Sequence, residues 1–202
     1  MLDRAALRWL APWLTQGARG LVAARVGADA VTLSGFAVGM AAAACIAAGS
    51  ERWGLALLLA SRLMDGLDGA VARLTTPTDR GAFLDITLDF LFYASIPLAF
   101  ALANPVANAL PAAVLLAAFI GTGSSFLAFS ALAGKRGLLS ADYPSKGIYY
   151  LGGLTEATET LICFALMCVW PQHFALWAYG FALLCALTVM TRLIVGWRLL
   201  SG

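Results

Sequence analysis

Four aspartates crowded into one short run are the residues of this chain best suited to chemistry. They lie in Asp65-Gly66-Leu67-Asp68-Gly69-Ala70-Val71-Ala72-Arg73 and, seven residues later, in Gly81-Ala82-Phe83-Leu84-Asp85-Ile86-Thr87-Leu88-Asp89. Carboxylates brought together repel, so they either take up protons or hold cations between them. An all-oxygen donor set suits a hard divalent ion such as Mg²⁺ or Mn²⁺. Four carboxylates can hold two such ions about 3.5–4 Å apart, the arrangement that clamps a phosphate during a displacement reaction.

Helical spacing shows how these side chains meet. Asp65, Asp68, Gly69, Ala72 and Arg73 follow i, i+3, i+4, i+7, i+8 and share one helix face. Gly81, Asp85 and Asp89 follow i, i+4, i+8 and share a face of the next helix. The short link predicts that the two helices are antiparallel neighbours. Asp65 and Asp89 then lie at equal depth, roughly 12 Å from the linked ends at 1.5 Å per residue, and Asp68 matches Asp85 nearer the link. Two carboxylate pairs are expected to face each other across one helix–helix contact. Gly66, Gly69, Ala70, Ala72 and Gly81 remove bulk, which permits close helix approach and leaves space for a nucleotide. Gly66 and Ala70 are the two best explained by packing alone.

The elements that carry this run belong in a membrane. The 202-residue chain is 61% hydrophobic and 12% charged, against about a quarter charged in soluble domains. Its apolar residues come in blocks near the ~20 residues needed to cross the hydrocarbon. Six spans are predicted, at 31–50, 54–73, 81–103, 107–132, 148–169 and 174–197. Helices are the fitting spans because backbone groups in lipid must be bonded internally. The fold class is therefore all-α, an integral membrane bundle of six transmembrane helices. It is preceded by an N-terminal amphipathic surface helix, carried by a juxtamembrane segment at 1–28. The core at 31–197 and that segment make a single domain, 1–202. In the first twenty residues Asp3, Arg4, Arg8 and Arg19 interrupt the apolar pattern, so no signal peptide is expected. That stretch either lies on the membrane surface or packs on the protein's own cytoplasmic side.

Lys and Arg set the orientation. Arg4, Arg8, Arg19, Arg25, Arg73, Arg80, Lys135, Arg136, Lys146, Arg192 and Arg198 fall on one side of the membrane and Arg52 on the other. The excess marks the cytoplasmic face and puts both termini there. With a net charge of only +2, the asymmetry is a topology signal first; membrane lipids are the expected surroundings and no nucleic-acid partner is expected. Cys45, Cys163, Cys168 and Cys185 sit in apolar blocks without metal-ligand spacing, and are read as inert packing. His173 stands alone beside Pro171 in a short loop and is read as an interfacial residue. Six of the 11 acidic residues fall inside predicted spans: the four aspartates, Glu156 and Glu159. A carboxylate at that depth is costly and needs a partner.

At these residues the sequence resembles the CDP-alcohol phosphotransferases. Their signature is Asp, two residues, Asp-Gly, two residues, Ala-Arg, a spacer, then Gly, three residues, Asp, three residues, Asp. It is met at Asp65, Asp68, Gly69, Ala72, Arg73, Gly81, Asp85 and Asp89. The resemblance implies that Asp65, Asp68 and Asp85 ligate two divalent ions, Mg²⁺ or Mn²⁺, with Asp89 completing the site. Asp89 is also the implied general base toward the acceptor hydroxyl. Asp68, Gly69, Ala72, Arg73 and Gly81 are the implied nucleotide site. The implied reaction is attack of a small polar alcohol on the β-phosphorus of a CDP-linked lipid, CDP-diacylglycerol, with release of CMP, in a homodimer at the inner, cytoplasmic membrane. One element departs from the family: a Pro-Asn, two residues, Thr motif is replaced by Ala28-Asp29-Ala30-Val31-Thr32, and Asp29 is read as a helix cap.

The acceptor side is read more weakly. Lys135, Arg136 and Lys146 either bind an acceptor phosphate or are ordinary cytoplasmic loop charge. Glu156 and Glu159, one turn apart beside Gly152 and Gly153, are read as lining the pocket. Arg62, one turn before Asp65, is placed to pair with an acid. Two other functions fit the same acids: a transferase with a soluble CDP-alcohol donor and lipid acceptor, and a cation transporter with carboxylates along its path.

Overall fold

The computed structural model describes residues 2–136 and 155–201, with side chains from Leu10 onward. The described residues form helices and no strand. In chain order they are α1 (Leu2–Ala23), α2 (Ala28–Ala47), α3 (Glu51–Leu74), α4 (Asp79–Ala103), α5 (Pro105–Lys135), α6 (Ala157–Val169) and α7 (Phe174–Leu200), with a 3₁₀ turn at Pro171–His173. Each predicted span has its helix. Among the described residues α2, α4, α5 and the Pro171–Leu200 segment are long and apolar enough to cross a membrane. The chain is an integral membrane bundle in which α3 is the charged helix. The first residues of the fifth predicted span, 148–154, lie outside the described residues; in the described part the helix begins only at Ala157, after Glu156 as its cap, and is 13 residues long.

Helix ends follow local chemistry. The backbone donors Val26 N to Leu21 O (2.9 Å) and Ser50 N to Cys45 O (2.8 Å) close α1 and α2. The left-handed residues these turns require are Arg25 (φ 59°) and Gly49 (φ 74°). Thr78 caps α4, its hydroxyl accepting from Gly81 N at 3.1 Å, and Asn104 caps α5 by accepting from Ala107 N at 3.3 Å, followed by Pro105 at the first helical position. The cap of α2 is Gly27, not Asp29. Asp29 instead lies in the first turn, where its carboxylate favours the positive helix end and accepts from Arg80 Nη2 at 2.6 Å.

In lipid no hydrophobic force drives helices together, so close packing has to hold them. The main core gathers Ile46 of α2, Leu58 of α3, Phe92, Ile96 and Phe100 of α4, Leu115 of α5, Phe164 and Met167 of α6 and Phe174 and Phe181 of α7. Phe100 stacks on Phe174 with centroids 4.8 Å apart. The four cysteines are free thiols. α1 docks by Leu14 and Ala18 against Ala70 and Val71 of α3, while Trp13 on its other face is exposed. One face thus packs on the protein and the opposite face is open to lipid or water.

The α3 and α4 backbones do not pack closely; the two helices meet through side chains, Arg62 of α3 reaching Asp89 and Phe92 of α4. α2 packs against both, and is the main neighbour of α3, while α4 packs on α2 and α5 alike. The reason is α2's row of small residues. A Cβ on Gly35 would stand 3.1 Å from Met64 Cβ of α3, and one on Gly39 would stand 2.6 Å from Phe92 Cδ2 of α4 and 2.9 Å from Ser61 Oγ of α3. Ser61 Oγ also donates to Gly35 O at 2.8 Å. Gly39→Ala is therefore expected to destabilise the bundle by about 1–3 kcal/mol, the usual cost of overpacking. Thermal unfolding in detergent, followed by tryptophan fluorescence, measures this; an unchanged midpoint would refute so close an approach.

Candidate active site

The carboxylates converge although the backbones of their helices stand apart. Asp65 and Asp68 of α3 and Asp85 of α4 each offer an oxygen, and these oxygens all lie within 4.8 Å of one another. They line a cavity of about 10 Å³ together with Thr32, Gly35 and Phe36 of α2, Arg62 of α3 and Leu88 and Asp89 of α4. Asp68 is 5% exposed, and its Oδ2 is buried with no hydrogen-bond partner. A buried carboxylate oxygen without a donor is costly unless a cation reaches it. Oxygens on opposite sides of one Mg²⁺ stand about 4 Å apart, since each bond is about 2.0–2.1 Å. The donor set, its spread and the orphaned oxygen all fit a divalent cation.

Asp89 is placed differently. It lines the same cavity, but its Oδ1 accepts from Arg62 Nη1 at 2.7 Å. The same nitrogen lies 3.4 Å from Asp65 Oδ1. The guanidinium sits 3.9 Å over the Phe92 ring and 5.6 Å from that of Tyr93, and Arg62 is only 12% exposed. The expected pairing of Arg62 with an acid is present, and it spans from α3 to α4.

The residues implied for the nucleotide lie toward the linked ends of α3 and α4. Arg73 folds back along α3, its Nη1 3.2 Å from where a Cβ on Gly69 would be. Ala72 is half-buried. A Cβ on Gly81 would stand 3.2 Å from both Asp29 Oδ1 and Thr78 Oγ1, so Gly81 meets the start of α2. The Arg80–Asp29 pair beside it has an arginine that is 84% exposed, and exposed pairs add little stability.

The weaker acceptor candidates are scattered. Lys135 and Arg136 are exposed at the end of α5; Lys146 lies outside the described residues. Glu156 and Glu159 form the capping box of α6, with Glu159 Oε2 accepting from Glu156 N at 3.2 Å. Neither lines the aspartate cavity. The contribution that sequence reasoning missed is α2's wall. Thr32, whose hydroxyl donates to Ala28 O at 3.0 Å, borders the cavity with Gly35 and Phe36. The spacing Gly35-x-x-x-Gly39 was the signal that could have placed α2 between the other two helices.

Known proteins resemble this chain over most of its length. The chain is 50% identical over 202 residues to the inner membrane protein YnjF of Escherichia coli strain K12, covering 100% of this chain and 98% of that protein. A 65-residue stretch, 32% of this chain and 33% of the relative, is 57% identical to the archaetidylinositol phosphate synthase of Methanothermobacter thermautotrophicus. The fold matches the crystal structure of Mycobacterium tuberculosis phosphatidylinositol phosphate synthase (PgsA1) with CDP-DAG bound, at TM-score 0.73 and 22% identity over 91% of this chain and 93% of that one. It also matches the same enzyme in complex with manganese and citrate, at TM-score 0.72 and 23% identity over 91% and 88%. Residues 25–197 match the sequence profile of the CDP-alcohol phosphatidyltransferases, and with the aspartate cluster of α3 and α4 this means that the chain belongs to the CDP-alcohol phosphatidyltransferase family and is a membrane-bound, phospholipid-synthesising transferase.

Proposed function

We propose that the protein transfers a phosphatidyl group from CDP-diacylglycerol to the hydroxyl of a small polar alcohol, releasing CMP. The observation that carries this reading is the convergence of the Asp65, Asp68 and Asp85 oxygens within 4.8 Å. The CDP-DAG and the manganese found in the structurally similar mycobacterial enzyme support the choice of donor and metal. Two divalent ions, Mg²⁺ or Mn²⁺, when bound would supply positive charge against the diphosphate as negative charge develops there. Asp65, Asp68 and Asp85 are the ligands. Gly69, Ala72, Arg73 and Gly81 seat the nucleotide next to Asp68, with the arginine supplying charged hydrogen bonds to phosphate.

Asp89 takes the proton of the acceptor hydroxyl. The freed oxygen forms a bond to the β-phosphorus, the bond from that phosphorus to the CMP oxygen breaks, and CMP leaves with the electron pair. The proton then passes from Asp89 to solvent. Holding donor and acceptor in line accounts for much of the rate gain. Lys135, Arg136 and Lys146 are the candidate contacts to a charged acceptor, and Glu156 and Glu159 shape that side by fixing the start of α6. Residues 1–202 work as one domain, as a homodimer in the inner membrane with both termini and the site on the cytoplasmic side, placing the site where a soluble alcohol meets a lipid-anchored donor.

The test is CMP release by the detergent-purified protein from CDP-diacylglycerol with serine, glycerol 3-phosphate, inositol phosphate or choline. Release is expected with one of these alcohols, only with Mg²⁺ or Mn²⁺, and is expected to stop on chelation. Release from a water-soluble CDP-alcohol with a lipid acceptor, but not from CDP-diacylglycerol, would overturn the donor assignment.

A further inference from the structure

The starts of α2 and α4 meet beside the aspartate cavity, on the side of the α3–α4 link. Asp29 stands one turn before Thr32 and extends the α2 face that lines the cavity through Thr32 and Phe36. Gly81 stands one turn before Asp85 and extends the α4 face that lines it through Asp85 and Asp89. The two faces come together here, since a Cβ on Gly81 would lie 3.2 Å from Asp29 Oδ1. Helix starts carry partial positive charge and favour an anion such as phosphate. Asp29 puts a full negative charge in that place. Its Oδ2 accepts from Arg80 Nη2 at 2.6 Å. The arginine side chain is 84% exposed and the aspartate side chain 30% exposed, and a pair so exposed adds little to folding stability. Asp79, the other acid in these first turns, is exposed.

We propose that Arg80 compensates the charge of Asp29, so that the anionic diphosphate of a cytidine nucleotide can settle beside Gly81. The inference rests on the reading of Gly69, Ala72, Arg73 and Gly81 as the nucleotide seat. Its physical basis is that Gly81 has no side chain to screen Asp29 Oδ1 from a group seated against it. An unpaired carboxylate there would repel each phosphate. With Arg80 in contact, the pair presents no net charge. The charged hydrogen bond keeps the guanidinium on the carboxylate that it neutralises. Arg73, folded back over Gly69 on α3, is then a cation left to attract the phosphates.

The test uses Arg80→Gln and Asp29→Asn, singly and together, each removing a charge while keeping a polar side chain. CDP binding to the detergent-purified protein in saturating Mg²⁺ is measured by calorimetric titration, and CMP release gives the donor KM and kcat. In Arg80→Gln, CDP is expected to bind about fivefold more weakly, the effect of one unit charge at about 4 Å in water. The donor KM is expected to rise by a similar factor with kcat nearly unchanged. Asp29→Asn is expected to bind CDP at least as tightly as the unaltered protein does. The double variant is expected to return to within about twofold of it, the coupling shown by two groups in contact. The loss in Arg80→Gln is expected to shrink at about 1 M salt, where charges are screened beyond about 3 Å.

A pair that only tied α2 to α4 would lose CDP affinity in both single variants, and the double variant would recover nothing. That pattern would overturn the proposal, as would unchanged CDP affinity in Arg80→Gln. A loss in Arg80→Gln that Asp29→Asn does not rescue would overturn it too, making Arg80 itself a contact to the phosphate. Failure of the unaltered protein to bind CDP in Mg²⁺ would refute the nucleotide seat, and this inference with it.

Discussion

Replacing Asp68 by alanine is expected to abolish divalent-metal and CDP binding while leaving the bundle folded. Asp68 is the most enclosed of the four acids, and its Oδ2 has no hydrogen-bond partner. Such an oxygen stabilises nothing in the metal-free protein; it raises the cost of burial. Its retention makes sense for a ligand, since functional sites often keep groups that are poor for stability. Changes to residues merely supporting a metal ligand already cost roughly 10–100-fold in affinity, so loss of a ligand itself is expected to exceed about 100-fold. Turnover is expected to fall by about 10³-fold or more, as charge stabilisation in the displacement is lost. The unfolding midpoint of the metal-free variant is expected to equal or exceed that of the unaltered protein. Calorimetric titration with Mn²⁺ and with CDP checks the first claim. Unchanged binding of both would refute the assignment of Asp68.

Much of this arrangement is legible in the sequence because two lengths are fixed by physics. Hydrocarbon thickness sets the spans, so apolar blocks located α2, α3, α4, α5 and α7 within a few residues, whereas α6 begins only at Ala157 in the span expected from 148. Helical periodicity sets faces, so spacing and the short link put all four aspartates in two facing pairs, of which Asp65, Asp68 and Asp85 are the ones whose oxygens converge. Periodicity does not say which helix lies beside which. The short link between Leu74 and Asp79 suggested that α3 packs on α4, but a link constrains only the ends it joins. Gly35, Gly39 and Ser61 allow α2 closer to both helices than they come to each other, and that preference is written in a different part of the chain. Asp29 shows a similar limit. Its type fits a helix cap, but the chain enters α2 at Gly27, and the carboxylate is used by Arg80 instead. Glu156 and Glu159 were read as lining the pocket, whereas they start α6. Two glutamates at i, i+3 ahead of the apolar run Leu161 to Val169 have capping-box spacing.

Asp89→Asn is expected to stop turnover while metal binding survives, and this combination separates a base from a ligand. The substitution keeps the size of the side chain, and the amide oxygen can still accept from Arg62 Nη1, which lies 2.7 Å from the carboxylate oxygen it replaces. Packing on Phe92 and Tyr93 is untouched. The three converging carboxylates, Asp65, Asp68 and Asp85, keep their charge and their mutual distances, so Mn²⁺ affinity is expected to stay within a few-fold. An amide cannot take a proton from an alcohol at neutral pH. Turnover at saturating substrates is therefore expected to drop by roughly 10²–10⁴, the usual contribution of a positioned base. CMP release and Mn²⁺ titration on the same preparation give both numbers. Full activity would remove Asp89 from the chemistry. A joint loss of metal and activity would instead mean that its second oxygen belongs to the metal, making Asp89 a ligand despite the hold Arg62 has on the first.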